Sequence, residues 1–202
     1  MLPSTTALIV IDVQNDFCPS GALAVPEGDQ VVPVINEMMS DYQTVLLTQD
    51  WHPADHSSFA SQHGGRSPLD VIEMDYGPQV LWPDHCVQGT EGAEFHSDLN
   101  TTAAQMVIRK GFRQQIDSYS AFLENDQKTP TGLFGYLQTR GVDTVVLTGL
   151  ATDFCVNYSA QDAVRLGFNV ALAENACRGI DIDGSVEATL NQLRAMGVTI
   201  QS

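Results

Sequence analysis

The sequence alternates short apolar runs, rich in β-branched residues, with longer amphipathic stretches that end near glycine. The runs are apolar on both faces, which is typical of strands buried within a covered parallel sheet. They lie at residues 7–12, 44–50, 104–110, 144–149 and 169–173, with a shorter sixth at 198–200. Helical patterns lie between them, at residues 29–39, 131–139, 153–166 and 184–196. This order predicts an α/β fold, a doubly wound three-layer sandwich around a mostly parallel sheet of five or six strands.

One stretch, from about residue 51 to residue 99, breaks this alternation. It contains four prolines, little periodicity and all five histidines of the chain. Long irregular insertions are uncommon in compact domains and usually carry function or are disordered. The total of 202 residues suits one α/β domain. We therefore expect a single domain over residues 1–202, with an ordered functional insertion at about 51–99.

The charge balance limits the partners. The formal net charge is −16, from 25 acidic and 9 basic residues. Such a surface repels phosphate backbones and anionic lipids, so we expect neither nucleic acid nor membrane as a partner. A small neutral or cationic ligand fits best, and a homo-oligomer is left open. The first residues lack the basic region and long apolar stretch of a signal peptide, so a cytoplasmic location is expected.

Reactive side chains stand where the predicted strands end. Asp12, Asp50 and Lys110 close the first three strands, and Cys155 opens the helix that follows the fourth. Open α/β sheets bind ligands in a crevice at the carboxyl ends of their strands. We therefore expect these four side chains to meet at one edge of the sheet.

Cys155 has the surroundings of a nucleophile. The positive end of the predicted helix and a nearby lysine are expected to lower the pKa of its thiol. Asp12 could take the thiol proton and later give it to a leaving amine. Backbone N–H groups from Ala151 to Cys155 could hold a developing oxyanion. Each residue alone could equally be structural, and it is their coincidence that favours catalysis. The remaining cysteines are predicted to be structural: Cys18, Cys86 and Cys177.

A metal site is predicted from a carboxylate and two imidazoles. Asp50 and His52 project to the same side of an extended chain, and His85 can supply a third ligand. This donor set suits Zn²⁺, Fe²⁺ or Mn²⁺ with open positions for another ligand. His56 is a candidate further ligand or a partner of one. The last two histidines are expected at the surface: His63 and His96.

The chain resembles the isochorismatase-like cysteine hydrolases, and within them the nicotinamidases. Six segments carry the resemblance, in the order of the family and over nearly the whole chain. They are IDVQNDF at 11–17, QDWHP at 49–53, WPDHCVQGT at 82–90, RKG at 109–111, DSYSAF at 117–122 and GLATDFCV at 149–156. Together they are highly specific, and the Asp-x-His and Trp-Pro-x-His pair is absent from the metal-free relatives.

The resemblance implies a role for each catalytic residue. Cys155 is the nucleophile, Asp12 the general base and acid, and Lys110 their electrostatic support. The backbone of Ala151 and Cys155 forms the oxyanion hole, beside a cis peptide bond between Leu150 and Ala151.

The resemblance also implies the ligand-binding residues. Asp50, His52 and His85 bind one divalent ion, zinc ahead of iron or manganese, which positions a ring nitrogen rather than activating water. The substrate ring is expected to contact a set of aromatic side chains: Phe17, Trp82 and Tyr119.

The implied reaction is hydrolysis of nicotinamide to nicotinate and ammonia through a thioester, in NAD salvage, with pyrazinamide also accepted. Three alternatives stay open at this point. The first is a metal-free amidohydrolase acting on ureido or carbamoyl compounds. The second is a metallohydrolase whose ion generates hydroxide. The third is an α/β binding protein without catalysis.

Overall fold

The computed structural model describes residues 2–201. Its strands are β1 (Thr6–Ile11), β2 (Thr44–Asp50), β3 (Val71–Met74), β4 (Gly77–Val80), β5 (Met106–Lys110), β6 (Thr144–Leu150), β7 (Asn169–Arg178) and β8 (Thr199–Gln201). Its α-helices are α1 (Val31–Met39), α2 (Leu133–Thr139), α3 (Asn157–Arg165) and α4 (Ser185–Ala195). Each of the six predicted apolar runs corresponds to a strand of the main sheet, which confirms the predicted fold class.

The main sheet has six strands in the order β5-β2-β1-β6-β7-β8, and all of its neighbouring strands are parallel. The chain first builds outward from β1 through β2 to β5, and then from β6 through β7 to β8. The direction of building therefore reverses between β1 and β6. In an open parallel sheet, that reversal leaves a crevice at the carboxyl ends of the two central strands.

The core consists of two apolar layers, one on each face of the sheet. Along β1, Ala7, Ile9 and Ile11 belong to the layer that contains α2, α3 and α4. The alternate residues Leu8 and Val10 belong to the layer that contains α1. Because both faces of β1 are buried, its sequence is continuously apolar rather than alternating. Among residues 2–201, no helix combines the length and apolar character needed to cross a bilayer.

The predicted irregular stretch contains an antiparallel hairpin that the sequence analysis missed. Strands β3 and β4 pair with each other in register from Val71 opposite Val80 to Met74 opposite Gly77. The hairpin lies at the surface, where Val71 is 56% exposed, so its residues do not show the alternation of a half-buried strand. Pro78 within β4 further weakens the strand signal.

Candidate active site

The site is centred on Lys110, whose ammonium group is fully buried at the carboxyl end of β5. Its Nζ lies 2.8 Å from Asp12 Oδ2, 3.0 Å from Asp50 Oδ1 and 3.5 Å from Cys155 Sγ. Asp50 and Lys110 are direct partners in the register of β2 and β5. We call Asp12, Asp50, Lys110 and Cys155 the Lys110 cluster. Lys110 thus contacts each of the other three residues that the sequence singled out.

The charges of the cluster support one another. Although burial opposes it, the carboxylates of Asp12 and Asp50 raise the pKa of Lys110 well above its ordinary value, so the ammonium stays charged. Burial raises the pKa of Asp12 despite the nearby Lys110, which makes this carboxylate a stronger base than usual. Burial also opposes ionisation of Asp50, but His52 and Lys110 outweigh it and hold the pKa of Asp50 well below its ordinary value.

The expectation of a lowered pKa for the Cys155 thiol is wrong for this arrangement. Burial raises the pKa of Cys155 well above its ordinary value. Lys110 lowers it, as expected, but the carboxylates of Asp12 and Asp50 act in the opposite direction. Two carboxylates and one ammonium leave the surroundings of the sulfur with excess negative charge. Burial and this charge both favour the thiol over the thiolate.

The turn that carries Cys155 is a π-helical segment, Thr152–Val156, which leads into α3. The peptide bond between Leu150 and Ala151 is cis, as the resemblance implied. Gly149 allows β6 to approach β1 closely, since a Cβ at this position would lie 2.1 Å from the carbonyl oxygen of Ile11. Its φ of +106° also favours glycine. The close approach at Gly149 brings the turn with Cys155 to the end of β1, next to Asp12.

Asp50, His52 and His85 form a buried group whose ligand atoms all lie within 4.8 Å of one another. Nδ1 of His52 lies 2.8 Å from the Gly111 carbonyl, and Nδ1 of His85 lies 2.8 Å from the Pro83 carbonyl. A carbonyl only accepts, so each Nδ1 must donate, which leaves each Nε2 as the coordinating atom. The Nε2 atoms lie 3.0 and 3.5 Å from Asp50 Oδ2. This donor set fits a divalent cation.

Gly111 supports this arrangement from behind. A Cβ at position 111 would lie 2.5 Å from Cε1 of His52, and its φ of +65° suits glycine. Only a glycine lets the carbonyl that orients His52 come this close.

His56 is buried next to His52 but its ring nitrogens have other partners. Nδ1 lies 2.7 Å from Ser58 Oγ and 3.2 Å from the Ser58 amide, and Nε2 lies 3.3 Å from the Ile116 carbonyl. These contacts suit a histidine that packs against a ligand rather than one that coordinates. His63 and His96 are half-buried and stand outside the group. Cys18, Cys86 and Cys177 are buried free thiols.

Above the Lys110 cluster lies a small, mainly apolar pocket. Trp82, Tyr119 and Phe154 form one side, which we call the aromatic wall. Trp82 meets Phe154 edge-on with ring centroids 4.9 Å apart, and its indole Nε1 donates to Tyr119 Oη at 3.0 Å. Five further site residues that were named from the sequence also line the pocket: Phe17, Asp50, His85, Ala151 and Cys155. A flat, neutral ring suits such a pocket.

Residues 6–202 match the family described as the isochorismatase domain. The chain belongs to the isochorismatase family. A nicotinamidase of Acinetobacter baylyi is 54% identical over 192 residues, which covers 95% of this chain and 90% of that protein. The structure of a nicotinamidase/pyrazinamidase of Acinetobacter baumanii has a TM-score of 0.98 at 53% identity, covering 100% of this chain and 98% of that one.

A pyrazinamidase of Pyrococcus horikoshii in complex with zinc has a TM-score of 0.79 at 36% identity, covering 98% of this chain and 99% of that one. These relatives within the isochorismatase family indicate an amide hydrolase.

Four further residues line the pocket that the sequence analysis did not assign to it: Leu23, Asp117, Phe154 and Ile180. Asp117 and Phe154 lie inside segments typical of the isochorismatase-like hydrolases, so their position in a motif was the signal available. Leu23 and Ile180 lie in loops without periodicity or motif, and only the folded chain brings them to the pocket.

Proposed function

We propose that the chain hydrolyses nicotinamide to nicotinate and ammonia through a thioester on Cys155. One observation carries the proposal: Lys110 contacts Asp12, Asp50 and Cys155 directly beneath a pocket with aromatic walls. A thiol, a base and a fixed cation at the floor of an apolar pocket suit acyl transfer to sulfur. Nicotinamide is flat and neutral, so an acidic protein can bind it without a basic patch.

In the acylation step, Asp12 takes the proton of the Cys155 thiol as the sulfur attacks the amide carbon. The raised pKa of Asp12 makes it a better acceptor for the proton of the thiol. The carbonyl oxygen becomes an oxyanion and is held by the backbone N–H groups of Ala151 and Cys155. The C–N bond then breaks, and the nitrogen leaves as ammonia with the proton from Asp12.

In the deacylation step, Asp12 is again a carboxylate and takes a proton from water. The resulting hydroxide attacks the thioester carbon. The C–S bond then breaks, and the acyl group leaves the sulfur as nicotinic acid. The proton held by Asp12 returns to the sulfur, and the acid ionises to nicotinate. Lys110 stays an ammonium throughout and keeps Asp12 and the sulfur at contact distance.

Asp50, His52 and His85 would hold one divalent ion, for which we propose zinc, with iron and manganese as alternatives. When bound, the ion supplies a Lewis acid for the ring nitrogen of the substrate and adds positive charge next to Lys110. Asp50 belongs both to the proposed metal ligands and to the Lys110 cluster, since one of its oxygens faces His52 and the other faces Lys110. Asp50 therefore acts on both reactants: on the ring through the proposed ion, and on the thiol through Lys110.

Pyrazinamide has the same size and flatness as nicotinamide, so we expect it to be hydrolysed as well. We also propose that this conversion of nicotinamide to nicotinate serves NAD salvage.

The test is an ammonia-release assay on nicotinamide, pyrazinamide, and ureido and carbamoyl amides, with metal analysis of the same sample. We expect turnover of the first two and about one equivalent of bound divalent metal. His52→Ala should remove the metal and raise KM for nicotinamide, whereas the control His96→Ala should change neither. Turnover of ureido or carbamoyl amides without bound metal would contradict the proposal.

A further inference from the structure

Gln79 is an unusual residue for its position in the fold. It lies on β4 of the surface hairpin, where Val71 is 56% exposed, yet Gln79 itself is only 1% exposed. It is not among the residues that line the pocket. Buried polar side chains are as a rule hydrogen-bonded, so the partners of Gln79 show what it holds.

The amide nitrogen of Gln79 contacts the side of the pocket. Nε2 lies 2.7 Å from Asp117 Oδ2, 3.0 Å from Tyr119 Oη and 2.7 Å from the Val80 carbonyl. Asp117 and Tyr119 both line the pocket. One amide group therefore holds two pocket residues from behind.

The neighbours of Gln79 allow only one orientation of its amide. Oε1 accepts from Tyr76 Oη at 3.0 Å and from Asn125 Nδ2 at 3.2 Å. Rotating the amide would place its oxygen against the carboxylate of Asp117, where neither atom can donate. The two hydrogens of Gln79 Nε2 are thus directed toward Asp117, Tyr119 and the Val80 carbonyl, which share them.

The hydroxyl of Tyr119 extends this hold to Trp82. Its oxygen accepts one hydrogen bond from Gln79 Nε2 and one from Trp82 Nε1, each at 3.0 Å. Burial, followed by the charge of Asp117, raises the pKa of Tyr119 well above its ordinary value, so the phenol stays neutral. Gln79, Tyr119 and Trp82 therefore form one chain of hydrogen bonds.

We infer that Gln79 is a positioning residue for the substrate, because it fixes Tyr119 directly and Trp82 through Tyr119, and so sets the orientation of the aromatic wall. The inference rests on the proposed function, in which the pyridine ring of nicotinamide contacts that wall. Gln79 touches none of the reacting groups. Its loss should therefore weaken binding of the ring more than it slows the chemical steps.

The kinetic test uses Gln79→Met, which keeps the volume and removes the amide. It also uses Gln79→Glu, which keeps an acceptor for Tyr76 and Asn125 but loses the donor. We expect either change to raise KM for nicotinamide roughly tenfold, with kcat within about threefold. Gln115→Met is the matched control, since Gln115 is exposed and makes no side-chain hydrogen bond within residues 2–201. An unchanged KM in both Gln79 variants would overturn the inference.

A double-variant comparison separates positioning from loss of stability. Tyr119→Phe removes the oxygen on which Gln79 and Trp82 converge. If the three residues act as one chain, Gln79→Met with Tyr119→Phe should raise KM little more than either change alone. Fully additive effects would overturn the inference. If Gln79→Met does not fold, Gln79→Glu takes its place in the comparison.

A spectroscopic test does not depend on activity. The chain has two tryptophans, Trp51 and Trp82, so two indole N–H signals are expected in a ¹⁵N-resolved NMR spectrum. Gln79→Met should shift the Trp82 signal and leave that of Trp51 in place, with Trp51→Phe giving the assignment. An unmoved Trp82 signal would show that Gln79 does not hold the wall. If the wild-type protein releases no ammonia from nicotinamide, the proposed function fails, while this signal still decides the role of Gln79.

Discussion

The Lys110 cluster and the aromatic wall above it are built in different ways. Asp12, Asp50 and Lys110 stand at strand ends, where the register of a parallel sheet fixes each backbone position, and Cys155 lies in the turn that follows β6. The aromatic wall stands on segments outside the strands, where side-chain hydrogen bonds between distant residues hold it. The reacting groups thus depend on the fold itself, whereas the surface for the ring depends on contacts that can change without altering the sheet. Changes in the cluster should abolish turnover, and changes in the wall should weaken binding.

The largest effect is expected at the sulfur. Cys155→Ala should lower kcat for nicotinamide by more than about a thousandfold, because no other side chain of the cluster can form the thioester. Cys18→Ala is the matched control: this thiol is also buried, but burial raises its pKa to about 11 and it lies outside the pocket. Ammonia release measures the activity, and circular dichroism checks the fold. Turnover by Cys155→Ala at even a tenth of the wild-type rate would remove the sulfur from the mechanism.

Lys110→Met should reduce both activity and stability. It leaves Asp12 and Asp50 buried together without their shared cation, and breaking a buried ion pair in this way costs about 3–5 kcal/mol. Urea denaturation measures the loss. Arg109→Met, the preceding residue, removes a cation at an exposed position above the Trp51 ring and should cost less than about 1 kcal/mol. Equal losses in the two variants would mean that the carboxylates do not depend on Lys110.

The same difference explains what could be predicted from the sequence. A strand end in a parallel sheet has a defined edge, so a charged residue that closes an apolar run can be placed from the pattern alone. Asp12, Asp50 and Lys110 were placed in this way, and Cys155 was placed from its position at the start of the helix that follows the fourth run. His52 and His85 were proposed as metal ligands from their residue types and spacing, and the resemblance then added two residues of the wall, Trp82 and Tyr119.

The remainder depends on contacts between residues far apart in sequence. Gln79 and Tyr119 are joined by a hydrogen bond across a separation of 40 residues, for which no local pattern exists. The pKa of the Cys155 thiol was predicted in the wrong direction because its burial and the second carboxylate, Asp50, are products of folding. The sequence indicated which charges would be near the sulfur but not how completely water would be excluded.

A smaller effect on the cluster is expected from Thr48→Val. Thr48 Oγ1 donates to Asp12 Oδ1 at 2.6 Å, and this hydrogen bond lowers the pKa of Asp12 against the larger effect of burial, which raises it. Removing the bond should therefore raise the pKa further. Because Asp12 must be a carboxylate to act as the base, the acid limb of kcat/KM should move to higher pH, with the plateau changed little.

Thr148→Val is the control for the pH profile. Thr148 is also fully buried on a central strand, but its hydroxyl donates to the Ile9 carbonyl rather than to Asp12. The acid limb of kcat/KM for Thr148→Val should stay at the wild-type position. A limb that moves equally in both variants, or moves to lower pH in Thr48→Val, would contradict the assignment of that limb to Asp12.

The smallest effect is expected in the wall. Phe154→Leu removes the edge-on contact with Trp82, and an aromatic pair of this kind contributes about 0.5–1.5 kcal/mol beyond its buried area. KM for nicotinamide should rise roughly two- to tenfold, with kcat nearly unchanged. Phe112→Leu, at a residue that is 43% exposed and outside the pocket, should change neither constant.

The position of Phe154 makes this variant a sharp test of the comparison, because Phe154 precedes the nucleophile directly in the chain. If the backbone of the π-helical segment is fixed by β6 and α3, a smaller side chain at 154 leaves Cys155 in place and only binding weakens. A fall in kcat of a hundredfold or more would show that the wall also positions the sulfur. The Lys110 cluster and the aromatic wall would then have to be treated as one unit.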